Sequence, residues 1–298
     1  MPLLDLSGGR QLNYELTPGP STTSPVIILA NPLTTSLRLW DDYVPHLTKA
    51  GYRVLRFDQP GHGNSICPDE SVTTVTFPGM AKDVHMLLSY LTGDSCPAAD
   101  QISLPVAAWM GISMGAAMGI FYTIAYPNTV KNLVLSDTIS CSPERAGVPD
   151  LFTSRVADAK KDGNMGKTVE GTLERWYGNR ISEDEKEKQR KVMSTTSING
   201  YEACCAALVH HSFHVRPLAP MLAKSVVEDV LVVVGELDAN LPESMTELAK
   251  CIEQGFRRAG RQGYTVPVKI LPECGHVPVV DNFDAFVNAT VPFLSSKV

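Results

Sequence analysis

The chain has 298 residues, 44% hydrophobic and 19% charged, which is enough apolar material for a large core. Its formal net charge of −6 leaves no basic footprint, so no nucleic-acid partner is expected. No apolar run approaches the ~20 residues that span a bilayer, and the opening Met1–Glu15 lacks a basic segment followed by an apolar one; no membrane association and a cytoplasmic location are expected. Seven scattered cysteines without zinc spacing read as reduced, buried thiols.

The predicted elements begin with Val26–Ala30, a short branched run between turn formers that reads as a buried strand. Leu39–Ala50 reads as a helix and Tyr52–Phe57 as a second strand, which runs into the turn-rich Asp58–Ser65. Gly79–Leu91 places Met80, Val84, Leu87 and Leu88 on one helical face. Pro105–Met110 is the next strand, Ala116–Tyr126 a helix and Val130–Ser136 a strand. Such alternation implies right-handed crossovers and a mostly parallel central sheet. The rhythm breaks over 140–222, which is charged and helical; in Ser182–Met193, for example, Ser182 and Glu185 could form a capping box. It resumes with the strand Val230–Gly235, a helix over Glu243–Gly255, the strand Val266–Leu271 and a closing helix over Asn282–Leu294. The expected architecture is an α/β core, residues 1–139 and 223–298, interrupted by a helical lid over 140–222.

Between the Pro105–Met110 strand and the following helix lies Gly111-Ile112-Ser113-Met114-Gly115, a G-x-S-x-G pattern. The glycines let a serine sit on a turn where other side chains would clash, so its hydroxyl stands above the sheet beside a helix N-terminus. A serine hydroxyl attacks poorly unless a base takes its proton. Of seven histidines, His276 lies in a loop after a late strand. His62, in Gly61-His62-Gly63, reads as a structural turn residue with Asp58 as its anchor. His210, His211 and His214 lack acidic companions, so no metal and no cofactor are expected. Acyl chemistry also needs donors for a developing oxyanion, each worth ~3 kcal/mol. The Met114 N–H is one candidate. The other is the Leu33 N–H in Asn31-Pro32-Leu33-Thr34, because Pro32 cannot donate.

These residues, in this order, resemble the α/β-hydrolase fold family over essentially the whole chain. In that family the order is serine, acid, histidine, with the last two on loops after late strands. The resemblance therefore implies Ser113, Asp238 and His276 as catalytic residues, with Asp137 as the alternative acid and Glu236 as a weaker one. A narrower likeness is to the 3-oxoadipate enol-lactonases. It rests on Ala30–Thr35 with Leu39-Trp40-Asp41, on Tyr52–Asp58 and Gly61–Ser65, and on Glu174-Arg175-Trp176-Tyr177 and Gly200–Leu208 in the lid. It implies attack of Ser113 on the carbonyl of a small-molecule lactone or ester, ring opening to an acyl-enzyme, and water attack assisted by His276. Arg175 and Trp176 would then face the substrate. The chain departs from that pattern at Asn31-Pro32, where many relatives carry His-Gly. It departs again at Thr34, where glycine is usual, at His210-His211, and at an insertion over Ser95–Asp100. A carbon–carbon bond hydrolase of the same fold and a non-catalytic ligand-binding relative are the alternatives.

Overall fold

In the computed structural model, which describes residues 2–93 and 104–296, eight strands form one sheet. They are β1 (Leu3–Asp5), β2 (Gln11–Thr17), β3 (Val26–Ala30), β4 (Arg53–Phe57), β5 (Val106–Ile112), β6 (Val130–Ser136), β7 (Asp229–Gly235) and β8 (Val268–Leu271). Their spatial order is β1-β2-β4-β3-β5-β6-β7-β8. The β1–β2 and β2–β4 pairs are antiparallel, and every later pair is parallel. Residues of β3 and β5 are buried along their whole length, as strands covered by helices on both faces must be.

The helices of the core are α1 (Val44–Lys49), α2 (Phe77–Thr92) and α3 (Met114–Ala125). Between β6 and β7 the chain inserts α4 (Pro143–Ala146), α5 (Leu151–Asp162), α6 (Gly166–Trp176), α7 (Glu183–Met193) and α8 (Ile198–Val209). The core then closes with α9 (Leu241–Arg258), α10 (Pro278–Asp281) and α11 (Phe283–Ser295). Half of the expected capping box forms: Ser182 Oγ accepts from Glu185 N–H at 3.2 Å, while the Glu185 carboxylate turns to Gln189 at 2.7 Å.

Two expectations shift. Leu39–Ala50 is not one helix but a 3-10 turn over Leu37–Trp40 followed by α1. Pro45 lies in the first turn of α1, where its missing N–H costs nothing; inside one longer helix it would break the ladder. The last strand starts at Val268 because Pro267 has no N–H to pair. The insertion over Ser95–Asp100 lies outside the described residues.

Buried polar groups lock the loops at the sheet's C-terminal edge. Trp40 Nε1 donates to Asn31 Oδ1 at 2.8 Å, and Asn31 Nδ2 donates to the Phe57 carbonyl at 2.9 Å, so the β3 and β4 loops are one unit. Asp58 accepts from Leu37 N–H at 2.7 Å, Asn13 Nδ2 at 2.6 Å and Asn64 N–H at 3.0 Å. A side chain at Gly63, whose φ is +56°, would collide with that carboxylate. His62 is fully buried: its Nε2 accepts from Thr34 N–H at 3.0 Å and its Nδ1 lies 2.9 Å from the Pro60 carbonyl, which makes Nδ1 the protonated nitrogen. The neighbouring Gly61 carbonyl accepts from Ser197 N–H at 2.9 Å, which fastens the start of α8 to the core.

Burial pushes the His62 pKa down to about 4. An unfolded His62 binds a proton near pH 6.5, whereas the native ring resists it until about pH 4. Between those values the unfolded state holds more protons, so native stability falls as pH falls, by about 3 kcal/mol at the limit. His62→Gln lacks this penalty. Its Tm deficit against the parent is expected to shrink from pH 7 to pH 4.5, and parallel Tm curves would contradict the assignment.

Candidate active site

β5 delivers Ser113 to the top of the sheet, and α3 starts at the next residue. Ser113 has φ 55° and ψ −119°, a strained backbone that a side-chain-bearing residue seldom adopts. Its N–H is anchored to the Ser136 carbonyl at 2.7 Å. A Cβ on Gly111 would collide with the Gly115 backbone, and one on Gly115 with the Ala30 carbonyl. Both glycines are therefore needed for α3 to start this close to β3 and β5.

His276 lies on the loop after β8, and its Nε2 is 2.9 Å from Ser113 Oγ. Its Nδ1 is 2.7 Å from Asp238 Oδ2, on the loop after β7. A carboxylate accepts only, so Nδ1 carries the hydrogen and Nε2 is left as an acceptor for the serine O–H. That is the arrangement in which an imidazole can take the hydroxyl proton. The two loops are pressed together: Leu237 N–H donates to the Cys274 carbonyl at 2.8 Å, and a Cβ at Gly235 would collide with Gly275. Asp281 accepts from Gly275 N–H at 2.8 Å and pairs with Arg180 at 3.1 Å, and the Arg180 guanidinium also donates to the Trp176 carbonyl. The histidine loop is thus tied to the end of α6. Neither Arg180 nor Asp281 stood in a pattern that pointed to this.

The other acids go elsewhere. Asp137, after β6, is fully buried; it accepts from Gly235 N–H at 2.8 Å and from Ser136 Oγ at 2.5 Å. Burial, and then the nearby Asp238 charge, hold its pKa well above the ordinary carboxylate range. Glu236 is exposed and accepts from Glu273 N–H at 3.2 Å, away from the imidazole.

A cavity of about 320 Å³ lies over Ser113 and His276, within the range of small-molecule sites. Leu33 and Thr34 form one wall. The Thr34 N–H is already given to His62, whereas among the described residues the Leu33 amide has no such partner. Thr34 has φ 70°, which explains why glycine suits the position and threonine is strained there. Met114 is the first residue of α3, so its N–H has no carbonyl a turn earlier in the helix.

The alpha/beta hydrolase family profile matches residues 27–289. The chain belongs to the alpha/beta hydrolase family. It is similar to "3-oxoadipate enol-lactonase 2" of Acinetobacter baylyi, 26% identical over 65% of this chain and 65% of that one. It is also similar to "Epoxide hydrolase A" of Mycobacterium tuberculosis, 34% identical over 56% of this chain and 52% of the relative. These matches therefore span less than two thirds of the relatives' own lengths. Among solved structures, the enol-lactonase from Burkholderia xenovorans LB400 superposes with a TM-score of 0.79 at 25% identity, covering 99% of this chain and 100% of that one.

In this alpha/beta hydrolase residues of the inserted helices α5, α6 and α8 line the cavity. Trp176, buried, lies with its ring 5.1 Å from the His276 ring. Arg175 lines the cavity, with Nη2 3.2 Å from Thr172 Oγ1. Burial of the guanidinium, and then the neighbouring Arg155 charge, hold its pKa down to about 10, and it stays cationic at neutral pH. Arg155 and Tyr201 also line the cavity; Tyr201 falls in the Gly200–Leu208 stretch of the lid likeness without having been singled out, and Arg155 stood in no motif. His210 and His211 are exposed beyond the end of α8. Among the described residues no helix is long and apolar enough to cross a membrane.

Proposed function

We propose that this alpha/beta hydrolase opens a small-molecule lactone or carboxylic ester through an acyl-enzyme on Ser113. The observation that carries the reading is the unbroken line from Ser113 Oγ to His276 at 2.9 Å and on to Asp238 at 2.7 Å. Similarity to an enol-lactonase in sequence, and to another in structure, supports the lactone as substrate.

Ser113 Oγ attacks the carbonyl carbon as His276 Nε2 takes its proton; Asp238 holds the imidazolium that results. The carbonyl oxygen becomes an oxyanion and receives the N–H groups of Met114 and Leu33. Collapse breaks the acyl C–O bond, and His276 returns the proton to the departing oxygen, which in a lactone stays tethered to the acyl group. Water, deprotonated by His276, then attacks the acyl-enzyme and releases the acid and free Ser113. The inserted helices act as a lid, from which Arg175 and Trp176 face the substrate. No metal or cofactor enters this sequence of steps.

Turnover of 3-oxoadipate enol-lactone, of other five- and six-membered lactones and of p-nitrophenyl acetate tests the reading. Fast opening of a lactone to its hydroxy or keto acid, with the carbon skeleton intact, is the expected result. Cleavage of a carbon–carbon bond in the product would overturn it, as would full turnover by Ser113→Ala.

A further inference from the structure

Beside the cavity over Ser113 lies a second and larger one, of about 570 Å³. The two share a wall made of Ile139, Phe152, Arg155, Asn240 and Leu241. Arg145, Arg155, Arg216 and His214 line the second cavity, and among the described residues no aspartate or glutamate does. Among the described residues, the only carboxylate within ion-pair distance of these arginines is Glu247, 2.7 Å from Arg216 and outside the lining. Arg216 also donates to Ser244 Oγ at 3.2 Å, yet its Nε is buried with no hydrogen-bond partner among the described residues. Among the described residues Arg145 donates only to the His211 carbonyl, at 2.7 Å. Arg155 forms no ion pair among the described residues. Three guanidinium groups against one carboxylate leave a positive excess in a protein whose net charge is −6. His214 registers the same field, since burial and then Arg145 and Arg216 hold its pKa below the ordinary value.

Like charges gathered around one hollow raise the free energy of the empty protein, and an anion placed among them relieves it. Guanidinium groups suit oxyanions in particular, because their paired N–H groups match two oxygens at once. Apart from Ser140, Asn240 and Ser244 the rest of the wall is mainly apolar, with Val148 and Leu151 left 54% and 53% exposed around the cavity. We infer that this cavity is a second subsite, which takes a terminal oxyanion, carboxylate or phosphate, on an apolar arm of the substrate whose carbonyl sits at Ser113. The inference rests on the Ser113 hydrolase reading and narrows it. Arg155, on the wall common to both cavities, marks the path of the arm from one to the other.

The test compares p-nitrophenyl hemisuberate, a phosphate-terminated ester of equal length and the neutral methyl-capped ester, with p-nitrophenyl acetate as reference. The full chain, Arg145→Gln and Arg216→Gln are each assayed; Arg145 is exposed, so its replacement spares the fold. At least one charged ester is expected to exceed the neutral one about tenfold in kcat/KM, the worth of a single charge-assisted hydrogen bond. Which of the two charged esters does so identifies the oxyanion. Each variant is expected to cut that preference several-fold through KM. Turnover of all the esters without charge preference, or a preference that neither variant moves, would overturn the subsite alone. Failure to turn over any ester, the acetate included, would overturn the Ser113 reading and the subsite with it.

Discussion

Ser113→Ala is expected to lower kcat about 10⁵-fold on any lactone or ester that the chain hydrolyses, with KM little changed. The size follows from what the substitution removes: it deletes the attacking atom and leaves His276 nothing to deprotonate except water. What remains is the pull of the oxyanion donors and substrate binding, worth 10³–10⁴ over the uncatalysed reaction, roughly as in other serine hydrolases. The fold should not suffer. Alanine bears the same Cβ as serine, so the strain at φ 55° is unchanged, and the Ser113 N–H still reaches the Ser136 carbonyl. Steady-state kinetics with a Tm control measure both halves of the statement. A loss under tenfold would mean that the nucleophile is elsewhere.

The second large effect separates two acids. Asp238→Asn is expected to cost about 10⁴-fold in kcat, because an amide can donate to His276 Nδ1 and so push the ring hydrogen onto Nε2. That nitrogen would then face Ser113 Oγ with no lone pair to offer. Asp137→Asn should cost no more than about tenfold, the worth of one hydrogen bond of ~1.4 kcal/mol. Asp137 stands behind the site: its oxygens are filled by Gly235 N–H and Ser136 Oγ, and burial favours its neutral form, which asparagine resembles. Parallel kinetics on the two variants decide the matter. The reverse order of effects would make Asp137 the acid that orients the histidine.

The mostly parallel sheet was legible because fully buried strands write themselves as continuous branched runs, as in Val26–Ala30. β2 left a fainter mark. Leu12, Tyr14 and Leu16 alternate with Gln11, Asn13 and Glu15, but a polar strand near the sheet's edge looks much like a loop. The break between Leu37–Trp40 and α1 turned on Pro45, which is equally at home in a helix's first turn and after a helix's end.

At the site, Ser113 could be read because its turn needs glycines at fixed offsets, and that need survives in a five-residue pattern. His276 stood out as a residue on a loop after a late strand, whereas Asp238 came from the family resemblance, with Asp137 beside it as an alternative that also follows a strand. Asp281, which holds the histidine loop through Gly275, and Arg155, which charges two cavities, could not be read. Their partners are set by how α5, α6 and the last loops pack, and such packing leaves no fixed spacing along the chain. Thr34 shows the opposite case: read as a departure, it proves to hold the positive φ at a position where glycine is the easier residue.

The most direct measurement is the intact mass of the chain after exposure to a fluorophosphonate, followed by peptide mapping. The expected result is one adduct per chain, on Ser113, absent from Ser113→Ala and greatly slowed in His276→Ala. No adduct, or an adduct on another residue, would contradict a serine hydrolase built on Ser113, His276 and Asp238.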